Sequence, residues 1–276
     1  MFSAAQKYFF QLKAPGSATI STHSGRVQTD IARPLTTLAF HVEKLHQPRT
    51  WARLKETAAR LADQNIHATF FIYPFPAVLA GNDLACQVRL LASLGHEIAQ
   101  HTHFYSGAQI GKEEKVDDLS EANIVSCMRR DFMALCQTGY RPRGFTAGSW
   151  FVNDQVLDTL IELGFVYDCS AQIQNVRTTP NRSLHRWLSA PRTYRNGRGQ
   201  LLCLPTTCSL GEWFKWGRKS THSNALTYQI VYLHDYDLLS ISRIVLLAGF
   251  LKTVRANRLE TSSALAAHYP VLRGDL

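Results

Sequence analysis

An alternation of strand-like and helix-like segments runs from Leu35 to Val254, and it confines the chain to few architectures. Leu35 to Val42 alternates weakly behind Pro34 and reads as a strand. Trp51 to Gln64 places Ala52, Leu54, Ala58, Ala59 and Leu61 at helical spacing. Ala68 to Tyr73 is a continuous β-prone run closed by Pro74, and it reads as a buried strand. Leu84 to Leu94 is helical again and stops at Gly95, a residue suited to the position after a helix. Ile98 and Ala99 then form a short strand. The order repeats. A helix over Leu119 to Cys136 has Asp117 and Asp118 near its positive end. Gly144 to Thr146 is a strand, and Asn153 caps a helix that Gly164 ends. Strands follow at Phe165 to Asp168, Leu201 to Leu204 and Gln229 to Leu233, then a helix from Ser240 to Val254. Roughly seven strand–helix units predict a parallel α/β barrel in preference to an open sheet. Asn175 to Gln200 and Trp213 to Asn224 are rich in Arg, Gly and Ser and read as loops. Residues 1–33 lack periodicity and read as an irregular lead-in, with 34–276 as a single barrel domain.

In a parallel barrel the functional groups gather at the C-terminal ends of the strands. Those ends carry His41 and Glu43, Tyr73, His101 and His103, Thr146, Asp168, and His234 with Asp235. A lone histidine at a strand end is ordinarily a satisfied polar residue, whereas three clusters at one end point to a site. Imidazole is the commonest neutral ligand of divalent transition metals. His41 and Glu43 lie two apart on a strand and so share a face, and both residue types suit zinc. His101 could supply a second ligand, and His103 a third if its loop curls back, with a fourth position left open for water. Glu43 alternatively pairs with Lys44 or caps a helix. His234 could deliver a proton to a leaving amine or alkoxide, with Asp168 or Asp235 fixing its tautomer. Alternatively, Asp235 and Asp237 simply open the next helix. Trp150, Trp213 and Trp216 suit stacking on a sugar face, although tryptophan serves equally well in cores.

Composition narrows the setting. No apolar run approaches the roughly 20 residues that span a bilayer. The first ten residues hold one Lys and no long apolar stretch, which predicts no secretory signal. Six cysteines without Cys-x-x-Cys spacing argue against a cysteine zinc site and for reduced thiols in a cytoplasmic protein. Lys and Arg number 30 against 21 Asp and Glu, a formal excess of nine, densest between Arg177 and Lys219. The excess reads as a solvated basic surface, or as a patch for phosphorylated sugars, acidic glycan, lipid headgroups or nucleic acid. No zinc-finger spacing and no RNA-binding aromatic signature is present, so nucleic acid is not an expected partner.

Five segments stand in order along the chain. They are His67-Ala68-Thr69-Phe70-Phe71; Gly95-His96-Glu97-Ile98-Ala99-Gln100-His101-Thr102; Arg141-Pro142-Arg143-Gly144-Phe145 with Thr146-Ala147-Gly148-Ser149-Trp150; Tyr167-Asp168-Cys169-Ser170; and Leu233-His234-Asp235. In this order they resemble the motifs of the NodB-type polysaccharide deacetylases, over about Leu35 to Leu265. The second segment is the most specific match, to the family's metal motif Gly-His-Glu-Ile-x-x-His-Thr/Ser. The resemblance implies a distorted (β/α)7 barrel of the α/β class. It implies a divalent metal, zinc first, held by Glu43, His101 and His103. By the same resemblance His41 takes the base position and His234 is the general acid, with Asp168 as a further catalytic residue. Tyr73, Tyr105, Thr146 and Trp150 are expected at the substrate. The chain departs from the pattern at three places. Phe40-His41-Val42-Glu43 replaces adjacent or near-adjacent Asp residues, Tyr105 replaces the usual second His, and Thr146 replaces the Arg that steadies the base.

The activity so implied is metal-dependent removal of an acyl group, acetyl first, from an amino sugar, a glycan or a lipid-linked sugar precursor. The alternative is a barrel that binds a glycan without turnover, and a weaker third option is hydrolysis of a linear C–N bond in a small molecule. The expected location is the cytoplasm, with peripheral contact at the inner membrane face through the basic loops.

Overall fold

The computed structural model describes residues 35–104, 120–173, 187–188, 190–217, 228–254 and 259–269. The strands in chain order are β1 (Leu35–Val42), β2 (Thr69–Ile72), β3 (Glu97–Thr102), β4 (Gly144–Ala147), β5 (Tyr167–Asp168), β6 (Gln172–Ile173), β7 (Trp187–Leu188), β8 (Arg192–Asn196), β9 (Gly199–Cys203), β10 (Cys208–Ser209), β11 (Tyr228–His234) and β12 (Leu259–Glu260). The α-helices are α1 (Pro48–Asp63), α2 (Phe75–Leu79), α3 (Leu84–Ser93), α4 (Glu121–Gln137), α5 (Asp154–Leu163), α6 (Leu210–Glu212), α7 (Ile241–Thr253) and α8 (Ser262–Ala267). One sheet runs β10-β11-β1-β2-β3-β4-β5-β9-β8, with β12 also paired to β1. Every pair in it is parallel except the β8–β9 hairpin. Strands β6 and β7 form a separate small parallel pair.

The sheet curls on itself into the expected distorted barrel. Ala39 (β1), Phe71 (β2), Ala99 (β3), Tyr167 (β5), Leu202 (β9) and Ile230 (β11) meet in one buried cluster, which a flat sheet would hold far apart. Leu265 of α8 plugs the same cluster. Helices cover the outer face, where Leu54, Ala58 and Leu61 of α1 pack with Leu38, Phe40 and Phe70. Alternate strand residues therefore point inward and outward, and both sets are apolar, as sequence runs buried on both faces require. Gly144 of β4 makes one inward approach possible. A Cβ there would lie 1.9 Å from the Tyr167 ring. Tyr167 passes over this gap from β5 and donates its hydroxyl to Glu97 Oε1 of β3 at 2.7 Å. Glu97 also receives Thr69 Oγ1 at 2.9 Å and the Ser263 N–H at 2.9 Å, which ties α8 to the N-terminal end of the barrel.

Most predicted elements stand within a few residues of their expected bounds, and the differences have local causes. Helix α1 starts at Pro48, whose missing N–H is not needed in a first helical turn. Ser120 Oγ accepts from the Asn123 N–H and fixes the start of α4 at Glu121 rather than at Leu119. Asn153 and Gly164 bound α5 as expected, with Oδ1 accepting from the Val156 N–H and Gly164 at φ +79°. The segment expected to be loop up to Gln200 contains the β8–β9 hairpin. Its edge strand carries Arg192 and Arg195 on exposed faces, so apolar alternation is masked there. Trp213–Gly217, the described part of the second expected loop, is helical, while 218–224 lie outside the described residues. Trp213 itself is buried against Phe214 and Phe250. It serves the core, not a sugar. The expected lead-in at 1–33, Asp117 and Asp118 lie outside the described residues.

Candidate metal centre

Four strands deliver the candidate site residues to one place at the C-terminal end of the barrel. Parallel pairing sets His41 of β1 opposite His234 of β11, and His101 of β3 opposite Thr146 of β4. Glu43 follows β1 immediately and His103 follows β3. Glu43 Oε1 lies 3.3 Å from His101 Nε2 and 3.0 Å from His103 Nε2, and the two nitrogens are 3.1 Å apart. Among the described residues this triplet is the group whose spacing suits a metal ion. His234 Nε2 stands 3.7 Å from the same Glu43 oxygen. The loop after β3 thus does curl back to bring His103 beside His101.

The donor set fits a cation on physical grounds. His101 Nδ1 is 2.9 Å from the Thr146 carbonyl oxygen, which can only accept, so Nδ1 carries the proton. In the neutral ring Nε2 is then a lone pair, and it faces a carboxylate oxygen that is also a lone-pair donor. Such a pair needs an electron-pair acceptor between them. A tetrahedral ion with bonds of about 2.0–2.1 Å holds its ligand atoms about 3.3–3.4 Å apart, close to the spacing seen. Burial lowers the His101 pKa, which favours the neutral ring, although the Glu43 carboxylate beside it opposes this. Burial alone would raise the Glu43 carboxyl, but the imidazoles of His101 and His103 beside it outweigh this and hold the group well below the usual carboxylate range.

His41 lies deeper. Its ring stacks on Tyr232 at 4.9 Å and sits 5.0 Å from His101, 5.5 Å from Trp150 and 5.5 Å, edge-on, from His234. Burial, with the imidazoles of His101 and His234 beside it, pushes its pKa well below the ordinary value. Tyr73 is buried with its ring 5.1 Å from His103. Thr146 is buried too and contributes its carbonyl to His101. Trp150 arrives by an unusual turn in which Ser149 and Trp150 both take left-handed backbone angles, φ +54° and +58°. Each costs roughly 1–2 kcal/mol in a residue other than glycine. Gly148 begins that turn, and a Cβ on it would come within 2.5 Å of the His103 ring.

Two expectations change. The carboxylate beside His234 Nδ1 is that of Asp237, not Asp168 or Asp235. Asp237 Oδ2 accepts the His234 backbone N–H at 3.0 Å and lies 3.7 Å from Nδ1. Asp235 instead accepts the Lys44 N–H at 2.7 Å, which bridges β11 to the residue after Glu43. Asp168 turns to Ser170, whose backbone N–H it accepts at 3.0 Å. Two aromatic residues of the site went unread in the sequence. Tyr232 shares a strand face with His234, two residues on, and that period was the available signal. Tyr236 stacks on the His234 ring at 4.7 Å. Tyr105 lies outside the described residues.

Solved structures give the architecture a context. A protein of Mycobacterium smegmatis described as a polysaccharide deacetylase superposes with a TM-score of 0.58 at 18% identity, over 93% of this chain and 94% of that one. The peptidoglycan deacetylase PdaC of Bacillus subtilis gives 0.51 at 13% identity, over 85% and 91%. A CE4 family pseudoenzyme of Bacillus anthracis gives 0.51 at 12%, over 85% and 66%. No protein-family model matches the chain. No curated protein sequence matches it either. The chain therefore has the fold of the CE4, NodB-type polysaccharide deacetylases, at a sequence distance that makes it divergent.

Proposed function

We propose that the chain is a metal-dependent hydrolase that removes an acyl group, acetyl first, from an amino sugar of a glycan or of a lipid-linked sugar precursor. The observation that carries this reading is the convergence of three lone-pair donors, Glu43, His101 and His103, beside His234. A divalent ion there, zinc first, would supply a Lewis acid and a nucleophile at neutral pH. The chain's own residues do the rest. His41, on the strand that Glu43 follows, is placed to accept a proton from the attacking water. His234, at the more open side of the cluster, is placed to protonate the leaving amine or alkoxide, with Asp237 holding its strand end and ring. The Tyr73 ring lies beside His103 and the Trp150 ring beside His41, where they would line the substrate space.

A second reading is a barrel that binds glycan without turnover. His41 and Thr146 stand where the family pattern has an acidic base and its arginine, and one protein of this fold is described as a pseudoenzyme. Elemental analysis of purified protein, with acetate release from N-acetylglucosamine oligomers, separates the readings. Stoichiometric metal and acetate release, lost in His101→Ala and His234→Ala, support hydrolysis. Oligomer binding without acetate release, unaffected by chelator, would establish the second.

The reading extends to an inner membrane face. Tyr236, Leu239, Ile241 and Val245 are exposed apolar residues on the segment that follows His234, and the chain has a formal charge of +9. Among the described residues no helix is long and apolar enough to cross a membrane. Co-sedimentation with anionic but not neutral vesicles supports this location, and equal recovery with both opposes it.

A further inference from the structure

We infer that Asp168 is a positioning residue for His101, acting through Ser170 and the peptide unit between Thr146 and Ala147. The inference rests on the metal reading above and concerns what prepares one of its donors.

The connection is continuous and buried throughout. His101 Nδ1–H donates to the Thr146 carbonyl at 2.9 Å. The N–H of that same peptide, on Ala147, donates to Ser170 Oγ at 2.8 Å. The Ser170 hydroxyl in turn donates to Asp168 Oδ1, the oxygen that also accepts the Ser170 backbone N–H. His101, Thr146, Ala147, Asp168 and Ser170 are each at most 2% exposed. One carboxylate is thus linked to one imidazole by a serine and an amide in series.

Each link strengthens the next. A hydroxyl that donates to a carboxylate is a better acceptor, and an amide whose N–H donates to a strong acceptor has a more negative carbonyl oxygen. That oxygen holds the His101 proton on Nδ1, fixes the ring plane, and leaves the Nε2 lone pair aimed at Glu43 and His103. Carboxylates bonded directly to a ligating histidine do the same over a shorter path. The strand arrangement explains the detour. Asp168 is on β5 and His101 on β3, and β4 lies between them, so the only route is through a β4 peptide. The β4 unit can serve because it closes the ladder. The β3 side donates to its carbonyl through a ring N–H, and the β5 side accepts its N–H through a serine hydroxyl.

The test uses full-length protein with Asp168→Asn, Ser170→Ala and, as a control, Thr206→Val. Thr206 donates its hydroxyl to the Cys169 carbonyl nearby but is outside the chain of bonds. Zinc affinity is measured by chelator competition. The imidazole of His101 is followed by 15N-labelled histidine NMR in metal-free protein. Ser170→Ala and Asp168→Asn are expected to weaken zinc binding roughly 10- to 100-fold. The Nδ1–H resonance of His101 is expected to move upfield and exchange faster in both. Thr206→Val is expected to lower the unfolding midpoint while leaving affinity and resonance in place. Wild-type affinity and an unmoved His101 resonance in both variants would overturn the inference. If wild-type protein binds no zinc, the metal reading fails by itself, and the resonance in metal-free protein still decides the role of Asp168.

Discussion

The two ends of this barrel each hold a buried or half-buried glutamate, and their surroundings differ in kind. At the N-terminal end Glu97 is met by a tyrosine hydroxyl, a threonine hydroxyl and a backbone N–H, all donors with protons of their own. At the C-terminal end Glu43 is met by two imidazole nitrogens that also crowd each other at 3.1 Å. The first carboxylate is complete as it stands and joins β2, β3, β5 and α8. The second is surrounded by atoms that have electron pairs to give. Counting donors against acceptors therefore separates a structural carboxylate from a functional one where residue type and burial do not.

The contrast can be broken by exchanging the outcomes. Glu43→Ala is expected to remove the bound ion and lower acyl hydrolysis at least about a thousand-fold. Metal content and acetate release measure this, and the urea midpoint should stay near that of metal-free wild type. Glu97→Ala strips three donors of their acceptor and is expected to destabilise the fold by about 3–5 kcal/mol. Urea unfolding measures it, and activity per folded molecule should remain near wild type. Loss of the ion in Glu97→Ala with an unchanged midpoint would erase the distinction. Saturating zinc at about a hundred times its Kd should stabilise wild type by about 2.7 kcal/mol. A scan with and without chelator reads this as a shift in Tm, and Glu43→Ala should show none. Tyr167→Phe removes a single donor from Glu97 and should cost about 1–2 kcal/mol with zinc affinity intact. Asn153→Ala, which uncaps α5 away from both ends, should cost about 1 kcal/mol and leave both carboxylates as they are.

The barrel was legible because both faces of its strands are buried, so apolar runs such as Thr69–Ile72 and Leu201–Cys203 stand out against helical spacing. The β8–β9 hairpin was not, since its outer strand is an exposed, arginine-bearing edge, although Asn196-Gly197 is a turn signal in plain view. Helix α8 is six residues of Ser, Ala and Leu, too short for a period to declare itself. That Glu43, His101 and His234 share one rim was readable from strand ends, because parallel pairing carries them there. The partner of His234 was not. A helical turn over Asp235–Leu239 folds Asp237 back onto the strand end, and no spacing rule distinguishes it from Asp235. Asp168 was read as an acid that would fix the His234 ring, and the linear sequence could not show that it turns instead to the serine two residues on.

Gly148 carries a consequence out of proportion to its size. It has no side chain, and the His103 ring occupies the volume that one would need. A single added methyl group on that loop would force the His103 ring to shift from its place beside Glu43 and His101. Across divergent copies of this barrel, the residue at that position reports whether a histidine so close behind the first can be used at all.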